Sequence, residues 1–187
     1  MKVLVAHASR YGATQAIAER IAEKLTEAGH DAKARPVKAV ADLAGYQAFV
    51  IGSAVYFGKW LKQGTEFVRR NRASLAAGRP VWLFSSGPLG TQTTDADGRD
   101  VRAGAEPAEI AEFRQSIHPG DHRVFFGALD PSKLGFRDRL IKALPAGRTL
   151  LPEGDFRAWA EIDTWANEIA HELAQAPTGR RTGERTE

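Results

Sequence analysis

The sequence contains no cysteine. Disulfides, thiolate nucleophiles, cysteine-ligated zinc and iron–sulfur clusters are excluded together. Any redox chemistry must then be carried by a bound cofactor, because no side chain present cycles electrons readily. Long hydrophobic runs are also absent: none approaches the roughly 20 residues needed to span a bilayer. The chain opens on a core-type strand instead of a secretory leader, so a cytoplasmic protein is expected. Charge of one sign is scarce, with 26 Lys and Arg against 23 Asp and Glu, a formal net charge of +3. The isoelectric point is 9.3, and Arg180, Arg181 and Arg185 place part of the excess at the very end. That balance is too mild for a nucleic-acid partner. No histidine and carboxylate fall at metal-ligand spacing on a helix face, so no metal is expected.

What is present is organised around residues 1–18. Val3, Leu4, Val5 and Ala6 form an apolar strand. From Thr14 onward, Ile17, Ala18, Ile21, Ala22 and Leu25 recur at helical spacing, and Gly29 ends the helix. Between them lies the small-polar loop Ser9, Arg10, Tyr11, Gly12, Ala13, Thr14. A strand running into a helix N-terminus leaves backbone N–H groups without intrahelical partners at the positive end of the helix dipole, an arrangement that binds anions. Ser9 and Thr14 add hydroxyls, and Gly12 lets the backbone approach closely. A phosphate is the expected guest; the plainer alternative is an ordinary turn with Thr14 as N-cap. The loop has one glycine and no lysine, so it matches neither G-x-x-x-x-G-K-[ST] nor G-x-G-x-x-G, and nucleoside triphosphates and NAD lose ground.

The rest of the chain alternates. Residues 30–37 form a short strand that Pro36 pushes toward an edge, and 48–52 a strand covered on both faces. Trp60, Gly64, Phe67, Val68 and Leu75 mark a second helix closed by Gly78, and residues 80–85 a fourth strand. Residues 87–104 are polar and aperiodic, with Asp95, Asp97 and Asp100 giving no obvious substrate platform. A short helix follows near Pro107, built on Ile110 and Phe113. Residues 122–129 form a fifth strand and 156–173 the last helix, with Asp155 placed to cap it. The expectation is an α/β protein: one three-layer αβα domain over 1–176 around a five-stranded parallel sheet, with an inserted segment at 131–154 and a disordered charged tail at 177–187. In such sheets ligands bind at the carboxyl ends of the strands near the switch point.

The pattern Ser-x-Tyr-Gly-x-Thr at 9–14 resembles the phosphate loop of the flavodoxin family, whose members hold FMN. The resemblance implies a flavodoxin-like fold with FMN as cofactor. Two further loops would then hold it. Ser53, Ala54, Val55, Tyr56, Phe57 and Gly58 bring exposed aromatics, of which Tyr56 or Phe57 would cover a flat isoalloxazine ring, whereas Trp60 reads as core. Ser85, Ser86, Gly87 and Pro88 offer backbone amides for the ring's pyrimidine edge. Further matches lie in Ile51–Gly58, in Phe126, Gly127, Ala128 and Leu129, and in the last helix at Trp159 and 165–170. In detail they are most similar to the menaquinone-dependent protoporphyrinogen dehydrogenases. That resemblance implies an FMN-dependent oxidoreductase passing electrons from a reduced, protoporphyrinogen-like substrate to a quinone. It also implies that 132–151 serves substrate or peripheral membrane contact at the inner face of the cell membrane. Leu134, Phe136, Leu140, Ile141 and Leu144 alternate there with Lys133, Arg137, Arg139, Lys142 and Arg148. Such a segment could lie on an anionic surface, receive an acidic tetrapyrrole, or pack its apolar stripe on the domain.

Flavin chemistry needs no protein nucleophile, so no side chain is assigned a catalytic role. Arg10 is the best-placed cation to steer an acidic substrate. His7 reads as exposed or hydrogen-bonded, with a phosphate or substrate within reach as the sharper alternative. His118 and His122 flank a Pro-Gly turn and are expected to face water, and His171 with Glu168 and Glu172 forms a solvated helix face. Three other classes stay open: an electron-carrier flavodoxin docking on partner proteins, which usually presents an acidic face, an NAD(P)H:quinone reductase, and a scaffold without cofactor, against which Ser9, Gly12 and Thr14 argue.

Overall fold

The computed structural model describes residues 1–94, 97–133 and 152–175. The segment expected to contact substrate or membrane lies almost wholly outside them, as does the charged tail. Five parallel strands carry the fold: β1 (Lys2–Ala8), β2 (Asp31–Pro36), β3 (Ala48–Tyr56), β5 (Val81–Ser86) and β6 (Asp121–Phe125), in the spatial order β2-β1-β3-β5-β6. A two-residue strand, β4 (Lys59–Trp60), pairs antiparallel with the end of β3. The expected α/β class, parallel sheet and flanking helices are all present. Pro36 ends an edge strand that pairs only with β1, where its missing N–H costs no ladder bond.

The helices fall on two faces because the central strands alternate their side chains. Val3, Val5, Val50, Trp82 and Phe84 face α1 (Ala13–Glu27) and the C-terminal helix α6 (Trp159–Gln175). Leu4, Ala6, Phe49, Ile51 and Leu83 face α2 (Lys62–Arg70), α3 (Arg72–Leu75) and α5 (Glu109–Ile117). On α1 the buried positions are Thr14, Ile17, Ala18, Ile21, Ala22 and Leu25, one stripe at intervals of three and four. Arg20 of α1 donates two hydrogen bonds to Asp163 of α6, at 2.6 and 2.7 Å, fixing the two helices on that face.

Several boundaries differ from the sequence expectation. The third strand runs four residues further than its apolar core, to Tyr56, and then turns back through Phe57 and Gly58, with φ of 52° and 71°. Two consecutive left-handed residues make the tight turn that suits a two-residue hairpin. Trp60 therefore belongs to β4, and the second helix starts at Lys62 and breaks at Asn71. The expected strand at 122–129 divides into β6 and β7 (Ala128–Leu129), because β7 leaves the sheet to pair with β8 (Gly154–Asp155). Asp155 consequently sits in β8, accepts from the Arg157 backbone N–H and does not cap α6, which begins only at Trp159. The aperiodic stretch after Gly87 holds one helical turn, α4 (Val101–Gly104), capped by Asp100.

The sheet is tightest at Gly52, which the Phe84 ring covers: a Cβ there would overlap the ring atoms. Phe84 cannot withdraw, since its other neighbours are Phe125 and Trp165, with ring centroids at 6.2 and 6.3 Å. Gly52→Ala should destabilise the protein by about 3 kcal/mol or more, read as a lowered urea midpoint with an unchanged slope. A midpoint within experimental scatter of the parent would mean the Phe84 ring relocates freely.

Candidate functional site

β1 passes into the first turn of α1 by way of residues 9–12. Gly12 has φ 93° and its N–H donates to Ser9 Oγ at 3.0 Å, a bond that folds the loop back on itself. The first intrahelical bond runs from Ala16 N–H to Gly12 O, so the N–H groups of Ala13, Thr14 and Gln15 have no backbone acceptor among the described residues. Orphaned amides at the positive end of a fifteen-residue helix form an anion cradle.

A cavity of about 510 Å³ opens beside that cradle at the carboxyl ends of β1, β3 and β5. Of the sixteen residues expected to bind a cofactor, it brings together Ser9, Arg10, Tyr11, Ala13 and Thr14 from the first loop, Ala54, Val55, Tyr56 and Phe57 from the second, and Ser86 and Gly87 from the third. Gly12 borders the adjoining groove of about 580 Å³ toward β7 and β8. The other four are not on the cavity wall. Ser53 is fully buried and receives the Leu61 N–H at 3.1 Å, anchoring the start of α2. Ser85 lies beneath the site. Gly58 turns its carbonyl to the Ala108 N–H, and Pro88 gives its own to the Gly127 N–H. Depth explains the first two misses, since Ser53 and Ser85 are register partners in the sheet one residue below the Ala54–Ser86 pair that meets the cavity, and Gly58 and Pro88 lie beyond the strand ends. The structure adds Leu89, Gly127, Ala128 and Leu129. The last three stood in the family resemblance without being assigned to the cofactor; no local signal marks Leu89.

The rim is aromatic and basic. The Arg10 guanidinium stands 5.2 Å from the Tyr11 ring centroid and 5.5 Å from that of Tyr56, tying the first loop to the second. Phe57 is 98 % exposed, and it is one of two non-glycine residues with positive φ among the described residues. An exposed aromatic in a strained turn is unfavourable on both counts, and such positions concentrate at ligand sites. Trp60, three residues on, is buried as expected, against Phe113.

Two histidines depart from expectation. The His122 side chain is 1 % exposed and does not face water. It completes a buried chain in which Trp60 Nε1–H donates to Ser85 Oγ at 2.8 Å, Ser85 Oγ meets His122 Nε2 at 2.9 Å, and His122 Nδ1 meets Glu106 at 3.3 Å. Arg114 in turn donates twice to Glu106. Serine, histidine and glutamate in line suggest a nucleophile, but Ser85 has no solvent access and does not line the cofactor cavity. The chain satisfies polar groups that the sheet has buried. His7 is likewise buried, and its Nδ1 has no hydrogen-bond partner among the described residues. His118 is exposed, and His171 meets Gln175 on the open face of α6. Among the described residues no cluster of metal-ligating side chains occurs, and no helix is long and apolar enough to cross a membrane.

The switch point between β1 and β3, with orphaned amides on one side and an apolar cavity on the other, defines a doubly wound α/β protein built to receive a phosphate-bearing planar ligand. The flavodoxin domain model matches residues 4–146, and the chain belongs to that family. Its cofactor is FMN, and the site fits it: anion cradle, glycine approach and apolar walls adjoin in one cavity. No curated protein matches the sequence. Among solved structures the fold is similar to a flavodoxin from the domain Archaea, at 19 % identity and a TM-score of 0.60 over 93 % of this chain and 99 % of that one. A single-site mutant of flavodoxin from Pseudomonas aeruginosa gives 16 %, 0.58, 93 % and 99 %. The flavodiiron core of Flv1 from Synechocystis sp. PCC6803 gives 16 % and 0.61 over 94 % of this chain and 36 % of that one.

Burial holds the His122 imidazole pKa below its ordinary value, against a smaller upward pull from Glu106, and burial lowers that of His7 in the same way. Both take up a proton less readily in the folded protein than in the unfolded chain, where an imidazole protonates below about pH 6.5. The unfolded state thus binds more protons, and the stability these groups contribute is complete above that pH and lost below it. His122→Gln should lose less stability between pH 7 and pH 5 than the parent in urea unfolding. Equal losses would remove His122 from the acid sensitivity of the fold.

Proposed function

We propose that this protein is an FMN-dependent electron-transfer protein working as a carrier of the flavodoxin kind. The observation that carries this reading is the continuity of the orphaned α1 amides with the apolar cavity bounded by Tyr56, Phe57, Leu89 and Leu129. When bound, FMN supplies the redox chemistry, its ring taking up and returning electrons. The chain's own residues then have positioning roles. Ser9, Ala13 and Thr14 hold the terminal phosphate, and the Ser9–Gly12 bond keeps that loop closed before the ligand arrives. Tyr56 and Phe57 cover the ring and exclude water. Ser86, Gly87 and Ala128 present backbone groups to its polar edge. Similarity to free-standing flavodoxins over 99 % of their length supports a carrier.

A second reading is an enzyme that passes two electrons and two protons from a reduced, protoporphyrinogen-like substrate to a quinone. It is favoured by the resemblance of the second loop and last helix, and by a net charge of +3 where carriers present an acidic face to basic partners.

The purified protein should be yellow and release FMN on denaturation; a colourless protein that ignores added FMN would sink both readings. Rapid quinone turnover with a reduced organic donor or NAD(P)H, and no protein partner, would reject the simple carrier. Thr14→Ala should weaken FMN binding by about 1 to 3 kcal/mol; unchanged affinity would move the phosphate to another loop. Phe57→Asn should raise the stability of the FMN-free protein slightly, because asparagine suits the left-handed turn. The same change should cost roughly three- to tenfold in FMN affinity through lost ring contact. Unaltered FMN affinity would show that Phe57 serves something other than the cofactor.

A further inference from the structure

We propose that a second cleft, at the carboxyl ends of β1 and β2, is a binding site for a small oxyanion, the carboxylate or phosphate group of a diffusible metabolite. This cleft, of about 400 Å³, shares Ser9 and Arg10 with the cofactor cavity and is otherwise lined by different residues. His7 from β1, Lys38 from the turn after β2, Gln15 from α1 and Gln63 from α2 line it, with Leu61 and Val37 as its apolar backing.

Its inner wall carries an unexplained group. His7 is 5 % exposed, and Nδ1 is buried without a hydrogen-bond partner among the described residues. Only two buried side-chain atoms there share that condition, and the other, Thr65 Oγ1, does not line the cleft. A buried ring nitrogen left unpaired is costly to the fold, and in a polar cavity the simplest account is a partner that the protein does not itself supply.

The charge around it selects the partner's sign. Lys38 brings a cation to it, Arg10 borders it while its guanidinium stays over the Tyr11 and Tyr56 rings, and among the described residues no carboxylate lines the cleft. Lys38 has no ion-pair partner among the described residues. The acid that acts on His7 is Glu19 of α1, which already accepts from the Gln15 amide at 2.8 Å. Ser9, which accepts from the Gly12 N–H, stays with the cofactor loop and is not counted among the donors of this cleft. The Lys38 cation and the Gln15 and Gln63 amides around an unpartnered ring nitrogen, with no carboxylate on the cleft wall among the described residues, match an oxyanion. The volume exceeds that of orthophosphate and leaves room for a small organic body against Leu61 and Val37. Because Ser9 and Arg10 line both cavities, this site and the cofactor loop share a wall but not a ligand.

The test uses the full chain saturated with FMN, titrated separately with orthophosphate and with succinate. Calorimetry gives the stoichiometry, and nitrogen-15 spectra report the His7 ring. One equivalent of either probe should bind saturably and shift the His7 ring resonances. Tighter orthophosphate binding would assign a phosphate ester and tighter succinate binding a carboxylate. Lys38→Ala and Gln63→Ala are solvent-side changes that spare the core, and the first should weaken binding about tenfold. His7→Phe should abolish the ring signal and weaken binding if it folds, and the two surface variants decide the matter if it does not. The proposal is overturned by no saturable binding of either probe or by affinity unchanged in Lys38→Ala. It is equally overturned by orthophosphate binding that occurs only before FMN is added, which would place the anion in the cofactor loop.

Discussion

The architecture depends on β1 being paired on both sides. With β2 on one flank and β3 on the other, the chain leaving β1 crosses over one face of the sheet through α1, and the chain leaving β3 crosses the other through α2. Two connections departing to opposite faces from adjacent strands cannot fill the space between them, so a crevice opens at their carboxyl ends. The first turn of α1 points its unpaired amides into that crevice, and the cofactor cavity is arranged around it.

Keeping the crevice open requires the layers beneath it to be rigid. Phe84 lies over Gly52, and behind it the Phe125 and Trp165 rings pack edge-on at 5.5 Å. On the other face, Gly64 of α2 sits so close to Ser53 and Ala8 that a side chain there would meet them at 3.0 to 3.2 Å. Ser53 and Ser85, which occupy loop-like positions in the sequence, are used here as buried anchors. One holds the start of α2, and the other joins Trp60 to His122 and Glu106. These polar chains contribute less through their net energy than through the penalty any displaced arrangement would incur by leaving a donor or acceptor unpaired.

The first loop could be read without coordinates because its chemistry is local. An apolar strand, a small-polar loop with one glycine and an amphipathic helix oblige the amides to point outward, whatever the rest of the chain does. The same holds for the buried strands, whose continuous apolar runs leave no alternative to a sheet covered on both faces. The second and third loops were legible as segments but not residue by residue. Tyr56 and Phe57 line the cavity while Ser53 and Gly58 do not, because the depth of each residue in the sheet and a two-residue hairpin decide which atoms face the crevice. The division of the fifth strand into β6 and β7 was not legible, since Phe126, Gly127, Ala128 and Leu129 remain apolar across the break.

The sequence by itself determined the fold class, the order of the strands' hydrophobic faces and the turn whose amides point outward at 9–14, all of which follow from periodicity and backbone chemistry over a few consecutive residues, while the cofactor's kind followed from the resemblance of that turn to a family. Only the tertiary structure decided what became of His7 and His122. His122 adjoins a Pro-Gly turn and His7 a small-polar loop, positions that suggest exposure, yet one closes a buried network and the other lines a polar cleft. Burial is a property of what packs on a residue from distant parts of the chain, here Glu106 and Ser85 for one histidine and the β2 residue Pro36 beside the other, and no window of neighbouring residues contains it.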